Sequence, residues 1–154
     1  MTRLCGDLEA EMDQFFSQVS ATRAECDDLA VSMFGGVIEP VPVQGATSYT
    51  VIVGPNRHKV LQFRNMDAQL DMAMLGLARL VHGDVVPVCA AVGRIGDDLD
   101  PKRQLAIYVM DRLPGDNYVM VRSCLAEEPR SHLATIYSLA RFVEALTSTL
   151  LQII

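Results

Sequence analysis

Apolar positions along the chain change their period several times, and each change marks a different kind of element. Leu8, Met12, Phe15, Val19, Cys26, Leu29 and Met33 recur at intervals of three, four or seven residues, the spacing of one helix face. Asp7 can cap the start of this stretch, and Gly35-Gly36 interrupts it, as glycine does past a helix end. Residues 17–22 are a weaker stretch, so one long helix and a broken pair both fit. Residues 37–43 carry Pro40 and Pro42, which suits an edge segment better than a central strand. Residues 48–53 and 59–64 are rich in β-branched and aromatic side chains and flank the turn sequence Gly54-Pro55-Asn56-Arg57-His58, a pattern that predicts a hairpin.

Helical spacing returns at Leu70, Met74, Leu77 and Val81, broadened by Ala73, Ala78 and Leu80, with Asn65 or Asp67 to start it and Gly83 to end it. Two further strands are predicted over residues 85–92 and 105–110. Between them, residues 93–103 carry Gly96, Asp97, Asp98, Asp100 and Pro101, the composition of an exposed loop. The chain leaves the sheet at Leu113-Pro114-Gly115. A last helix is predicted over about residues 131–152, with Leu133, Ile136, Ala140, Val143 and Leu150 on its stripe and an apolar end at Leu150-Leu151-Gln152-Ile153-Ile154. The succession predicts an α+β fold, a mainly antiparallel sheet of about five strands with flanking helices. It is read as one domain over 1–154: a helical segment at 7–34, sheet and helix at 37–113, and the C-terminal helix.

Composition narrows the possibilities. With 154 residues, 50% hydrophobic and 21% charged, the chain can bury a core and does not read as disordered. Its 13 basic and 19 acidic residues give a net charge of -6, which disfavours nucleic acid and anionic membranes as partners. Arg3, Asp7, Glu9, Glu11 and Asp13 replace the apolar core of a signal peptide, and Arg141 and Glu144 interrupt the apolar C-terminal segment, so neither export nor a membrane span is expected. Cys5, Cys26, Cys89 and Cys124 form no C-x-x-C pair; reduced thiols and a cytoplasmic location follow as expectations.

Few side chains suggest chemistry by pattern alone. His58, His82 and His132 make no zinc-ligand spacing. His58 reads as a turn residue and His132 as a surface or capping residue. Asp97, Asp98 and Asp100 read as a solvated loop. There is no G-x-S-x-G string, and no cysteine has a sequence-visible histidine partner.

Several strings nevertheless stand in an order that resembles the small N-terminal lobe of the aminoglycoside phosphotransferase and choline kinase-like family, especially its fungal branch. Gln44-Gly45-Ala46-Thr47-Ser48-Tyr49-Thr50-Val51 resembles the first strand and the nucleotide-covering turn, and Val60-Leu61-Gln62-Phe63-Arg64 the third strand. Leu70-Asp71 resembles the opening of the helix packed behind that strand, and Val86-Pro87 the start of the next one. Tyr108-Val109-Met110-Asp111-Arg112-Leu113-Pro114-Gly115 resembles the strand and hinge that lead out of the lobe. The likeness covers residues 34–118 and implies a protein-kinase-like small lobe.

The resemblance also implies what to expect of activity. Phosphoryl transfer needs metal ligands and a base from a large lobe, and those lie past the end of this sequence. No phosphotransfer by this chain alone, no cofactor and no metal are therefore expected. His82-Gly83-Asp84 looks like the opening of a catalytic loop, but Cys89 stands where its asparagine belongs, and a helix stop is the better reading. Gln62 occupies the place of the phosphate-contacting lysine, no glutamate falls within 66–81, and Gly45 is the one glycine of residues 45–48. Arg64, two residues on and on the same strand face, can take the place of the missing cation.

By this likeness Tyr49, Gln62, Arg64, Tyr108 and Asp111 surround the cleft side of the lobe, and Arg64, Tyr49, Gln62 and Asp111 are the candidate catalytic residues. Structural roles compete: Tyr49 can simply cover the sheet, and Arg64 can pair with Asp67 or Asp71. The expected function is a small lobe recruited to a non-phosphotransfer role, a small cyclase- or isomerase-type enzyme of fungal secondary metabolism acting on a small organic molecule. A non-catalytic ligand- or protein-binding module and a split subunit of a phosphotransferase are the alternatives. The expected partners are a small organic molecule and a second copy of the chain, the latter met through the C-terminal helix.

Overall fold

The computed structural model describes residues 5–117 and Met120. The N-terminal apolar pattern resolves into a broken pair of helices, α1 (Cys5–Phe16) and α2 (Arg23–Phe34). Thr22 makes the break. Its hydroxyl accepts from the Glu25 backbone N–H at 3.2 Å while the Glu25 carboxylate accepts from the Thr22 N–H at 2.7 Å, a capping box that satisfies two otherwise orphaned donors. The Thr22 N–H and the Thr22 hydroxyl, which donates at 2.8 Å, together hold the Glu25 carboxyl below its usual range. Just past α1, the carbonyls of Ser17, Gln18 and Val19 accept from the Arg103 guanidinium at 3.4, 3.2 and 3.1 Å, a cation placed where helix-end carbonyls need donors. Asp7 lies inside the first turn of α1 instead of capping it, because the helix begins at Cys5. Gly35, at φ 66°, ends α2 and donates to the Val31 carbonyl at 2.7 Å.

The sheet has five antiparallel strands in the order β1-β2-β3-β5-β4: β1 (Glu39–Pro40), β2 (Ser48–Val53), β3 (Lys59–Asn65), β4 (Cys89–Ile95) and β5 (Leu105–Asp111). The fold is α+β, a five-stranded antiparallel sheet flanked by helices. The β2–β3 hairpin pairs Ser48 with Arg64 through to Val53 with Lys59, as its sequence predicts. β1 shrinks to two residues because its prolines cannot donate to a ladder. Gln44 continues that edge with its side chain: its amide oxygen accepts from the Thr50 N–H at 2.8 Å and its amide nitrogen donates to the Thr50 carbonyl at 2.9 Å.

Three boundaries differ from the sequence expectation. The helix α3 (Met72–His82) starts well after Asn65 and Asp67, because Met66–Ala68 form a 3-10 turn and Gln69 is extended. β4 starts at Cys89 instead of 85, since Gly83–Val85 form another 3-10 turn and Pro87 follows. It then runs through Gly93, Arg94 and Ile95, which the composition assigns to a loop. The loop after it is latched rather than free: Ser20 Oγ accepts from the Asp97 N–H at 2.9 Å and donates to the Arg103 carbonyl at 3.1 Å. Gly96 is required at that latch, with φ 122° and a hypothetical Cβ only 2.5 Å from Ser20 Oγ and 3.2 Å from Gln104 Cα.

Packing divides the described residues into two units. One holds α1, α2 and the whole sheet; the other holds Ala73–Val86. In the first, Tyr49, Val51, Val53, Leu61, Phe63, Leu105 and Ile107 are buried with Met12, Phe15, Val19, Cys26 and Ala30 of the helical segment. Full burial of one such large side chain contributes ~1.5–3 kcal/mol. The Phe16 and Tyr49 rings meet edge to face at 5.1 Å, and Tyr49 stacks beside Phe63 at 6.1 Å. Cys26 and Cys89 are free thiols, and burial pushes Cys26 up to about 12, which makes it packing material and not a nucleophile. In the second unit, Arg79 donates to the Val86 carbonyl and meets Asp84 at 3.1 Å, so His82-Gly83-Asp84 is a helix end and the turn after it. Among the described residues no helix is long and apolar enough to cross a membrane. The predicted C-terminal helix, with His132 and the apolar end, lies outside the described residues.

Candidate functional site

Strand alternation gives the sheet two chemically different faces. One carries the core. On the other, the register aligns Thr50, Gln62, Tyr108 and Ala91 in one cross-strand row, and Ser48, Arg64, Ala106 and Arg94 in the next. Hydrogen bonds join the two rows. Arg64 Nε donates to the Ala68 carbonyl at 2.6 Å, and its Nη1 donates to Gln62 Oε1 at 3.2 Å. Gln62 Nε2 then donates to Thr50 Oγ1 at 3.1 Å, with Ser48 Oγ farther off at 3.5 Å. The 3-10 turn after β3 is what supplies the Ala68 carbonyl, so the turn that delays α3 also orients Arg64. Tyr108, buried on the same face, accepts from the Leu70 N–H at 3.2 Å and pins the chain beyond that turn.

Arg64 is half-buried, and among the described residues no carboxylate pairs with it. Neither Asp67 nor Asp71 takes the role the sequence allowed them. Two of its donors are spent on neutral oxygens, which orient the guanidinium without cancelling its charge. What the cluster offers chemically is donors: a fixed cation, an amide and hydroxyls beside it, on the side of the sheet away from the core.

Of the candidate residues, the structure brings Gln62 and Arg64 together and sets Tyr49 and Asp111 apart. Tyr49 is 1% exposed on the core face. Its hydroxyl donates to Asp27 at 2.8 Å, and burial first, then that bond, raises its pKa. Burial likewise raises Asp27. Tyr49 thus ties α2 to the sheet. Asp111 ends β5 beside Lys59 on the core side of the register, and the two form a half-exposed ion pair, a contact of small energetic weight. Ser48, Thr50 and Arg94 belong to the polar face and were missed. The hairpin turn already aligns Ser48 and Thr50 with Arg64 and Gln62, so that signal was present. Arg94 was hidden in a presumed loop.

Other candidates carry less. A depression of about 260 Å³ is lined by Gly36, Val37, Glu39, Ile52, Pro55 and Arg57 among others, but Arg57 is already ion-paired to Glu39. His58 sits exposed in its turn. Asp97 accepts from the Leu99 N–H and Asp98 from Gln104, and among the described residues no group of three His, Cys, Asp or Glu converges as a metal site. Comparison with family models, with curated proteins and with solved structures finds no match to this chain.

Proposed function

We propose that this chain is a cytoplasmic small-molecule-binding domain of kinase-like small-lobe type, which receives an anionic or carbonyl oxygen on the polar face of its sheet. The observation that carries the reading is Arg64, held by the Ala68 carbonyl and by Gln62 with no carboxylate among the described residues to neutralise it. A guanidinium oriented before its ligand arrives binds an oxyanion at lower entropic cost than a free one. The succession hairpin, helix, strand and outgoing strand supports the kinase-like part, since it follows the order of the strings that resemble that family.

One observation favours a catalytic version. Donors fixed in advance are what stabilise negative charge developing on a carbonyl oxygen, so the same Arg64–Gln62 pair suits an isomerisation or cyclisation through an enolate-like species. Ligand-observed NMR with acetate, cyclohexanone, phenolate and ATP tests the binding reading. Arg64→Gln is expected to weaken acetate or carbonyl binding at least tenfold, while the urea midpoint barely moves. Unchanged binding in Arg64→Gln, or an equal loss in Tyr49→Phe on the opposite face, sinks the reading. The catalytic version falls if comparison of metabolites with and without the gene finds no isomeric pair that interconverts on adding the protein.

A further inference from the structure

We propose that Arg64 and Arg94 form a two-armed seat for a small dicarboxylate, one acid group on each guanidinium, with Ala106 between them. The inference rests on the binding reading above and assigns its ligand class. Register is the first ground. Arg64 pairs with Ala106, and Ala106 pairs with Arg94, so both arginines project from the same face, two strands apart. At a strand spacing of ~4.8 Å their Cα atoms are roughly 10 Å apart, and the residue between them is Ala106, itself buried, whose side chain is only a methyl group.

The bulge in β4 is the second ground. Ala91 pairs with Tyr108 but Gly93 pairs with Ile107, so Val92 is an extra residue. In a regular strand Arg94 would stand opposite Leu105 and point to the apolar side. One inserted residue turns it to the polar face instead, and bulges commonly re-aim a side chain in this way. Gly93, at φ 148°, accommodates the distortion.

Charge is the third ground. Arg23, Arg57, Lys59 and Arg79 each meet a carboxylate; Arg64 and Arg94, like Lys102, Arg103 and Arg112, have none among the described residues, and they are the two that share a row of the sheet. Ala106 alone stands between them in that row, so a dianion placed there meets two cations at once. A carboxylate accepts two parallel bonds from a guanidinium. Arg64 holds the first group in a fixed place; Arg94, exposed and without a hydrogen-bond partner among the described residues, can reach to the second.

NMR titration of the full chain at low salt, following arginine Nε–Hε resonances, tests the seat with succinate, acetate and inorganic phosphate. Succinate is expected to bind at least tenfold more tightly than acetate and to shift both arginine signals. Arg94→Gln should remove that advantage and leave acetate binding unchanged; Arg64→Gln should weaken both; Lys102→Gln, a cation elsewhere on the surface, should change neither. Succinate affinity unaltered in Arg94→Gln overturns the seat, yet leaves the binding reading intact if Arg64→Gln still abolishes acetate binding. Equal losses in Lys102→Gln would mean unspecific charge attraction and overturn it as well. Phosphate held more tightly than succinate, with the same dependence on both arginines, overturns the dicarboxylate assignment.

Discussion

The two faces of the sheet are built from the same strands, residue by residue in alternation, and differ in nearly every physical respect. Toward α1 and α2, Tyr49, Val51, Leu61, Phe63 and Ile107 are buried at 0–4% exposure and hold together by area removed from water and by ring contacts. On the other side Ser48, Ala106 and Tyr108 are also buried, but Thr50, Gln62 and Arg64 beside them remain partly exposed and are joined by directed hydrogen bonds. The first face is non-directional and large in energy; the second is directional and small. Stability therefore resides on one face and recognition on the other, and neighbouring residues on one strand should answer mutation in opposite ways.

Phe63 and Gln62 give the sharpest contrast. Truncating Phe63 to alanine leaves a cavity against Tyr49 and should cost ~3–5 kcal/mol. Gln62→Ala removes polar contacts at a partly solvated site and should cost no more than ~1 kcal/mol. Urea unfolding monitored by circular dichroism reads both. Equal losses would mean that the polar face is part of the core, and the division of labour would fail.

Alkaline pH should act through the buried face alone. An ordinary cysteine thiol titrates near 8.5, while Cys26 is pushed up to about 12 by burial and by the neighbouring Asp27 and Glu25 carboxylates. A raised folded value means that the contribution is complete below the ordinary thiol value and is lost as pH climbs through the folded one. Tyr49 is raised in the same direction, so its contribution fades at higher pH still. Stability should therefore fall between about pH 9 and 12, Cys26 accounting for on the order of 4 kcal/mol at the top of that window. Cys26→Ala is less stable at neutral pH but should lose less on going from pH 8 to 11. An alkaline limb of unchanged slope in that variant would show that the thiol is not the sensor.

The contrast between faces also explains what could be read from the sequence. Hydrophobic burial leaves a periodic trace, so Leu8, Met12 and Phe15, the strands read at 48–53 and 59–64, and the Gln62/Arg64 side of β3 were all legible from alternation and spacing. Boundaries set by single polar contacts were not. The break before α2 depends on the Thr22–Glu25 box; apolar spacing alone leaves one long helix and a broken pair both open, and the T-x-x-E string is what distinguishes them. Arg103 satisfying the carbonyls after α1 is a contact across some 85 positions and leaves no local pattern. Arg94 depends on a bulge that shifts the face by one residue, and periodicity alone assigns a bulged strand to the wrong side or to a loop. Tyr49 shows the converse: its hydroxyl suggests chemistry, while its parity along β2 puts it with Val51 and Val53 in the core, the sheet-covering role that the sequence also allowed.

The smallest effect expected is the most informative about the polar face. Gln62 must present its oxygen to Arg64, which can only donate, and this forces its amide nitrogen toward Thr50 Oγ1, at 3.1 Å. One bond therefore sets the direction of the other. A double-mutant cycle with Gln62→Leu and Thr50→Val should give a coupling of about 0.5–1.5 kcal/mol in unfolding free energy. Adding Arg64→Gln as background should lower that coupling, because an amide released from the guanidinium is free to turn over. If the coupling survives at full size without Arg64, the two bonds are independent and the donors are not oriented as a set. If it shrinks, the guanidinium organises the polar face, and a ligand that draws on Arg64 will be felt on the neighbouring strand at Thr50.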